Sequence, residues 1–296
     1  MKIEQAALFG AGSVGGSLLC RQRENLEKIK VIVHGARRER MEREGLFARG
    51  ETFFPKIWEK GTHPDLLMVG LKNTQLKSSI EELRDYVGPN TILMPLMNGI
   101  SASEELRAAF PENIVLTAVV YVDARKIGNE LFCGETFLIQ IGDGEEAVLD
   151  AVKEALLSWG ISCQICQDIT RRQWRKWMMN VGTNQVSAIL GANYGQFQQK
   201  EAVRNMALAA MSEVVAVAEA VGVDLHLADV AAAGESVNKW SPEGKCSMLQ
   251  DVEAHRLTEV ESFSGKLVEL GKKYGVPTPI NETLYGLIRA KEAMYS

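Results

Sequence analysis

Residues 5–15 read QAALFGAGSVG, and this stretch decides the fold predicted for the first half of the chain. The run from Gln5 to Phe9 is apolar and has the length of a buried strand, whereas a helical pattern begins at Ser13. Glycines join the two segments, and they permit the tight turn that such a connection needs. The stretch therefore predicts a strand, a turn and a helix, which form the first unit of an α/β domain.

The glycines of this turn follow the spacing GxGxxG, which is typical of dinucleotide-binding turns. Gly10 would allow the turn, Gly12 would let the backbone approach a pyrophosphate, and Gly15 would let the helix pack close to the sheet. The helix N-terminus, at Ser13 and Val14, would offer free N–H groups and a positive dipole end to the phosphates. We therefore predict that these residues bind a nucleotide. A purely structural glycine turn is the alternative.

The rest of the first half alternates strand-like and helix-like segments, which predicts a Rossmann-type parallel sheet with helices on both faces. The predicted strands are 30–33, 66–69, 91–94 and 114–121, and residues 129–142 read as hairpin strands at an edge. From about Asp168 the pattern is helical, with predicted helices at 202–220, 248–273 and 282–295. We expect a Rossmann-like domain of residues 1–167 and an all-helical domain of residues 168–296.

Composition excludes several classes of partner. The 296 residues are 46% hydrophobic and 24% charged, with a formal net charge of −5 and no basic stripe, so nucleic acid is not expected as a partner. No apolar run reaches the roughly 20 residues of a membrane span. The five cysteines and the absence of a signal-peptide pattern favour a reduced, cytoplasmic protein. The four histidines lack ligand spacing, and the CxxC of Cys163 and Cys166 stands alone in a strand-like segment, so no metal site is predicted.

Two arginines follow the second predicted strand, in the segment VHGARRER of residues 33–40. An acidic residue at this place would hold the ribose 2′-hydroxyl of NAD, whereas the guanidinium groups of Arg37 and Arg38 suit a 2′-phosphate. Glu39 is the counter-evidence, and spacing does not decide which arginine makes the contact. The sequence favours NADPH as the cofactor.

Polar residues also follow two other predicted strands. Lys72 comes after LLMV in GLKNTQ, and Asn98 comes after TILM in PLMNGI. Open α/β sheets bind ligands at the carboxyl ends of their strands, so we predict that both residues line the cofactor site. A surface lysine and a turn-forming Asn-Gly are the alternatives.

The segment WRKWMMNVGTNQ, residues 174–185, places Lys176, Asn180 and Asn184 one helical turn apart along a single line. Asparagine is a poor helix former because its amide competes for backbone groups, so two in one row are unusual. We predict that the row faces a pocket and contacts an oxygen-rich substrate. A solvent-facing stripe on an otherwise buried helix is the alternative.

A third polar group lies in KCSMLQDVEAHRLTEVES, residues 245–262. Ser247 stands before a helical pattern, where it could be an N-cap with Gln250 completing a capping box. Glu259 follows twelve residues later, about three turns along the predicted helix, where a salt-bridged surface glutamate is the ordinary interpretation.

Together these segments resemble the ketopantoate reductase (2-dehydropantoate 2-reductase) family. The matching pieces are GAGSVG, LKNTQ, MNGI, WRKWMMNVGTNQVSAI, CSMLQDVEAHRLTEVESFSG and GVPTPIN, in order along the whole chain. The resemblance implies a Rossmann domain followed by a helical domain, with the site in the cleft between them. It also implies NADPH-dependent reduction of ketopantoate to pantoate, in the pantothenate branch of coenzyme A synthesis.

The resemblance also implies residue roles. Lys176 would be the general acid, Glu259 would lie beside the lysine and the substrate, and Ser247 would hold the substrate carboxylate. Asn180 and Asn184 would orient the substrate's oxygens. Lys72 and Asn98 would line the cofactor side.

This chemistry places a physical demand on Lys176. Its pKa must be lowered if it is to give up a proton near neutral pH, and partial burial against Trp and Met side chains would lower it. A reductase of a different 2-oxo acid and a non-enzymatic NADPH-binding regulatory protein remain the alternatives. The apolar faces of the second domain could form a homodimer.

Overall fold

The computed structural model describes residues 2–23 and 26–295 of the chain. The chain forms two compact units, Met1–Ile169 and Thr170–Ser296. The first unit contains all the strands that the structure describes, and the second is helical. Among the described residues, no helix is both long and apolar enough to cross a membrane.

A four-stranded parallel sheet forms the centre of the first unit, as predicted. Its strand order is β2-β1-β5-β6, where β1 is Ala6–Phe9, β2 is Ile29–Ile32, β5 is Leu66–Val69 and β6 is Ile92–Pro95. Nearly all of these strand residues are buried, because apolar side chains pack on both faces of the sheet. The connecting helices are α1 Ser13–Arg21, α2 Gly35–Glu44, α3 Asn73–Arg84 and α4 Ala102–Ala109.

A second sheet of five strands accompanies the parallel one. Its order is β4-β3-β8-β7 with β9 also paired to β8, and α5, Glu146–Ser158, precedes β9. The strands are β3 Leu46–Ala48, β4 Glu51–Phe53, β7 Thr117–Ile127, β8 Glu130–Gly142 and β9 Cys163–Ile165. Residues 129–142 were predicted as hairpin strands at an edge, and the structure forms one strand there, β8, whose hairpin partner is β7. Val115, just before β7, still pairs with Leu93 of β6, and β7 and β8 then continue into the second sheet, where β3 and β9 pair with β8.

Helix α1 packs against this hairpin as well as against the parallel sheet. A Cβ atom on Gly16 would lie 2.5 Å from Cδ2 of Leu131, so the helix and β8 are in close contact. At the other end of the helix, Nη2 of Arg21 donates to the carbonyl oxygen of Gly134 at 2.7 Å. The hairpin therefore fixes the helix that follows the glycine turn.

Seven α-helices make up the described part of the second unit. They are α6 Ile169–Leu190, α7 Tyr194–Gln199, α8 Glu201–Val221, α9 Leu227–Val237, α10 Ser247–Glu253, α11 Ser264–Tyr274 and α12 Pro279–Glu292. Helix α8 ends at Gly222 (φ 89°) and α11 at Gly275 (φ 72°), both left-handed. These two C-caps confirm the predicted ends, since glycine adopts this conformation without steric cost.

The predicted continuous helix 248–273 was wrong. Helix α10 ends at Glu253, His255 takes a positive φ of 51°, and a 3₁₀ turn at Val260–Ser262 precedes α11. Contacts distant in sequence stabilise the break, because the N–H and hydroxyl of Thr258 both donate to Oε1 of buried Glu292 at 2.7 Å. We call residues 254–263 the glutamate turn, since they carry Glu259.

Candidate active site

Packing explains the first and third glycines of the glycine turn. Gly10 has a φ of 96°, and a Cβ atom there would lie 2.8 Å from the carbonyl oxygen of Gly70. A Cβ on Gly15 would overlap the carbonyl oxygen of Gly10. Both positions therefore require glycine for the turn and the helix to approach the sheet.

Gly12 differs, because the turn leaves space beside it. It is the exposed N-cap of α1 with an ordinary φ of −71°, and a Cβ there would meet nothing nearer than Gly70 oxygen at 4.0 Å. Ser13 and Val14 follow as the first helical residues, whose N–H groups have no partner within the helix. This open face at a helix N-terminus fits a pyrophosphate.

Strand register aligns three of the predicted cofactor residues. Phe9, the last residue of β1, pairs with Val69, and Val69 pairs with Pro95, so the three strands end level with one another. Gly12, Lys72 and Asn98 are each the third residue after these strand ends, at one edge of the sheet. The sequence-based placement of Lys72 and Asn98 at the carboxyl ends of neighbouring strands is therefore what the structure has.

Side-chain contacts join the loops that carry these residues. Lys72 is the N-cap of α3, and Nδ2 of the next residue, Asn73, donates to the carbonyl oxygen of Asn98 at 2.8 Å. This bond ties the loop after β5 to the loop after β6.

The two arginines of α2 have different surroundings. Nε of Arg38 pairs with Glu42 at 2.8 Å and its Nη2 pairs with Glu59 at 2.9 Å. Arg37 is exposed, and the described part of the chain gives it no ion pair. Of the two guanidinium groups, that of Arg37 is the one available to a ligand.

Lys126, on β7, was not identified from the sequence. Its Nζ donates to the carbonyl oxygen of Ala11, inside the glycine turn, at 2.6 Å. Burial, and after it the positive charges of Arg40 and Arg37, together lower the pKa of this amine to about 8. No sequence pattern could have found the residue, because only the hairpin register brings it to the turn.

The polar row of α6 belongs to the second unit. Lys176 and Asn180 are partly buried and Asn184 is buried, so the row is not the solvent-facing stripe that was the alternative interpretation. Close packing fixes this helix, since a Cβ on Gly182 would lie 2.5 Å from Cγ of Met211 on α8. The two asparagines are therefore held on a rigid element.

Burial lowers the pKa of Lys176 to about 8, and the negative charge of Glu259 acts in the opposite direction. Glu259 is therefore near enough for its charge to act on Lys176, although the two residues are 83 positions apart, as the family resemblance implied. The amine is mostly protonated at pH 7 yet readily gives up its proton, as a general acid requires.

The glutamate turn is held beside α6 by a tryptophan. Nε1 of Trp177, which neighbours Lys176, donates to the carbonyl oxygen of Ser262 at 2.8 Å. The N–H of Ser262 in turn donates to the carbonyl oxygen of Glu259 at 2.9 Å. Trp177 thus positions the turn that carries Glu259.

The N-cap of α10 is Cys246, not Ser247 as the capping-box interpretation proposed. Sγ of buried Cys246 accepts from the N–H of Leu249 at 3.4 Å, and Nε2 of Gln250 donates to the carbonyl oxygen of Lys245. Ser247 is the first helical residue and is exposed, so capping does not engage its hydroxyl. Cys246 also lies 3.8 Å from the carbonyl oxygen of Asn184, which connects α10 to the polar row.

Cys163 shows how the environment decides the reactivity of the CxxC pair. It lies on β9, and burial raises the pKa of its thiol to about 12. The thiol is therefore protonated at neutral pH and chemically unreactive.

Two family models match this chain, one in each half of the sequence. The family model described as Ketopantoate reductase PanE/ApbA matches residues 6–145, and the model for the C-terminal part of the same family matches residues 168–292. A 2-dehydropantoate 2-reductase from Archaeoglobus fulgidus is 25% identical over 302 residues, which cover 99% of each chain.

Solved structures share the fold at lower identity. The dimeric ketopantoate reductase from Staphylococcus aureus has a TM-score of 0.86 at 20% identity, covering 99% of this chain and 100% of that one. The ternary structure of D-mandelate dehydrogenase with NADH and anilino(oxo)acetate has a TM-score of 0.90 at 24% identity, covering 98% of both chains. Because the two family models together span most of the sequence, this chain belongs to the ketopantoate reductase family of oxidoreductases.

Proposed function

We propose that the protein is an NADPH-dependent 2-dehydropantoate 2-reductase, which converts ketopantoate to pantoate in the pantothenate branch of coenzyme A synthesis. The observation that carries the proposal is the pairing of Lys176, with its pKa lowered to about 8, and Glu259. A reductase needs a lysine with a lowered pKa as its proton donor, whereas a protein that only senses a nucleotide does not need one.

The residues of the first unit fit the cofactor. The pyrophosphate would be held by the glycine turn and the start of α1, at Gly10, Gly12, Ser13, Val14 and Gly15. The turn leaves an exposed space beside Gly12 for the pyrophosphate, and a Cβ atom at this position would partly fill that space. When bound, the nicotinamide supplies the hydride.

Other residues of the same unit would complete the cofactor site. Lys72 and Asn98, level with Gly12 at the strand ends, would line the nicotinamide side. Arg37 would contact the 2′-phosphate, since Arg38 is already paired with two glutamates.

Lys176 would supply the proton. Addition of hydride to the C2 carbon of a 2-oxo acid breaks the C=O π bond and leaves a negative charge on oxygen. The Lys176 ammonium then donates a proton to that oxygen, which yields the hydroxyl group and a neutral amine. A positioned acid of this kind contributes roughly 10²–10⁴-fold to the rate.

The remaining polar residues would position the substrate. Asn180 and Asn184, one and two turns after Lys176, offer amide groups to the substrate's hydroxyl and keto oxygens without adding charge. Ser247 presents an exposed hydroxyl to the carboxylate. Glu259 would keep the lysine protonated until reduction creates a stronger base.

The test is oxidation of NADPH, followed at 340 nm, with ketopantoate and with a panel of other 2-oxo acids. We expect the highest kcat/KM with ketopantoate and a clear preference for NADPH over NADH. The alternative is a reductase of another 2-oxo acid, for which benzoylformate is the informative substrate because D-mandelate dehydrogenase shares the fold. No turnover with any 2-oxo acid, despite NADPH binding, would favour the regulatory protein and contradict the proposal.

We also propose that the protein forms a homodimer. The Staphylococcus aureus ketopantoate reductase of similar fold is described as dimeric, and the second unit exposes large apolar side chains such as Leu227, Leu257 and Met294. Light scattering coupled to size exclusion should give twice the mass of the 32.6 kDa chain, and a monomer at micromolar concentration would contradict this proposal.

A further inference from the structure

We infer that Lys126 is a cofactor-binding residue, which forms with Arg37 and Arg40 a three-cation site for the 2′-phosphate of NADPH. The inference rests on the proposed function for the identity of the cofactor, but it concerns a residue outside the sequence motifs. Its basis is the hydrogen bond from Lys126 to the glycine turn and the positive charges of Arg37 and Arg40 that act on its amine.

The hydrogen bonding places the amine of Lys126 beside the glycine turn. Ala11, whose carbonyl oxygen accepts from Lys126 Nζ at 2.6 Å, lies between Gly10 and Gly12. Lys126 is near the end of β7, in the last register pairs of the hairpin with β8. The amine is therefore held at the turn by a rigid sheet and not by a mobile surface loop.

The charges that act on the Lys126 amine are those of two arginines. Arg37 and Arg40 project from α2 near enough to disfavour its protonated form. Across residues 2–23 and 26–295, none of these three cations forms an ion pair with a carboxylate, whereas the neighbouring Arg38 has two. Glu44 exerts its charge on Arg40 without forming an ion pair with it, so the three cations keep part of their mutual repulsion, and a bound dianion would relieve that repulsion.

The position favours the 2′-phosphate over the pyrophosphate as the dianion. Arg37 and Arg40 lie on the helix after β2, and the end of the second strand is where Rossmann domains contact the ribose 2′ group. The pyrophosphate site is already formed by the N–H groups that follow Gly12. Lys126 contacts the turn at Ala11, and the charges of both arginines act on its amine.

The test separates the charge of Lys126 from its hydrogen bond. Lys126→Gln keeps a donor for the Ala11 carbonyl but removes the charge, and Lys126→Met removes both. The matched control is Arg125→Met, because the adjacent Arg125 stacks on Phe132 at 4.6 Å instead. Calorimetry would give the Kd of adenosine 2′,5′-bisphosphate and of AMP, and fluorescence titration would give the Kd of NADPH and of NADH. Circular dichroism would verify folding.

We expect both Lys126 variants to weaken NADPH and adenosine 2′,5′-bisphosphate about tenfold or more, as loss of a charged hydrogen bond implies. AMP and NADH should change less than about threefold for Lys126→Gln, and Arg125→Met should change nothing. Equal weakening of all four nucleotides by both variants would mean that Lys126 only supports the turn, and no weakening would also overturn the inference. A wild-type protein that binds none of the four would contradict the proposed function itself, which distinguishes the two failures.

Discussion

The indole of Trp177 donates a hydrogen bond to the carbonyl oxygen of Ser262 at 2.8 Å, and this bond joins helix α6 to the glutamate turn. Lys176 precedes the tryptophan, and Glu259 lies on the bonded turn. One side chain therefore ties the turn that carries the proposed partner to the helix that carries the proposed proton donor.

We predict that Trp177→Phe lowers both stability and turnover. The Ser262 carbonyl would lose its donor, which should reduce the free energy of unfolding by about 1–3 kcal/mol beyond the loss of packing. Displacement of the glutamate turn should also lower kcat roughly tenfold or more. Urea denaturation and steady-state kinetics would measure the two effects. Trp174→Phe is the matched control, since Trp174 is also buried and packs edge-on against Trp177, but donates no hydrogen bond to any described residue.

Replacing the lysine tests its role directly. We predict that Lys176→Ala lowers kcat by about 10²–10⁴-fold, because no other group would protonate the substrate oxygen. The Kd for NADPH, measured by fluorescence, should change little, since the pyrophosphate residues belong to the other unit. Lys176→Arg should be nearly as slow, because a guanidinium does not release its proton near neutral pH. Turnover that survived either change would remove Lys176 from the mechanism.

The pH dependence follows from the lysine pKa and its causes. As burial lowers this pKa to about 8, activity should be high below pH 8 and fall as the amine loses its proton above it. Glu259 opposes the effect of burial, so Glu259→Gln should lower the lysine pKa further and move the fall in kcat/KM to lower pH. Profiles of log kcat/KM from pH 6 to 10 would show this, and a shift to higher pH would refute the assigned pairing.

Two glycines of the same turn should respond differently to alanine. Gly10→Ala meets both a positive φ and a backbone oxygen at 2.8 Å, so it should cost about 3 kcal/mol or more of stability. Gly12→Ala has an allowed φ and open space, so it should cost about 1 kcal/mol or less. The Gly12 variant should nevertheless bind NADPH at least about tenfold more weakly, because its methyl group occupies the phosphate approach. Thermal unfolding and fluorescence titration distinguish the two, and unimpaired binding would argue against a pyrophosphate at this turn.

The two arginines after β2 provide another matched pair. Arg37→Ala should weaken NADPH about tenfold while sparing NADH, because the unpaired guanidinium is available to the 2′-phosphate. Arg38→Ala should have a small effect on either nucleotide, since its charge is already balanced by Glu42 and Glu59. Equal losses for NADPH and NADH would overturn the cofactor assignment. A larger effect at Arg38 would mean that its ion pairs open on binding.

The parallel sheet could be predicted because its information is local. Each strand is a short apolar run, and the polar residues that follow, such as Lys72 and Asn98, mark the strand ends. Helix ends at Gly222 and Gly275 were equally readable, since a left-handed C-cap favours glycine. These features depend on residues within a few positions of one another.

The remaining features depend on pairs that are distant in sequence. The apolar spacing continues through residues 254–263, so the helix break there was not visible. It is stabilised by Glu292, 34 positions from Thr258. Lys126 lies 115 positions from Ala11, and only the hairpin register brings them together. Ser247 was misassigned as the N-cap of α10, because the residue before it, the buried Cys246, is the N-cap.

The hydrogen bonds from Thr258 to Glu292 have a consequence for the folding of the chain during its synthesis. When translation has reached the end of α11, every residue that we propose for catalysis and binding has been made. The glutamate turn then still lacks Glu292, the carboxylate that accepts from Thr258. That anchor arrives with the final turn of α12, so we expect the proposed reduction to require synthesis of α12. The first unit can thus fold during translation before the nascent chain is able to catalyse the proposed reduction.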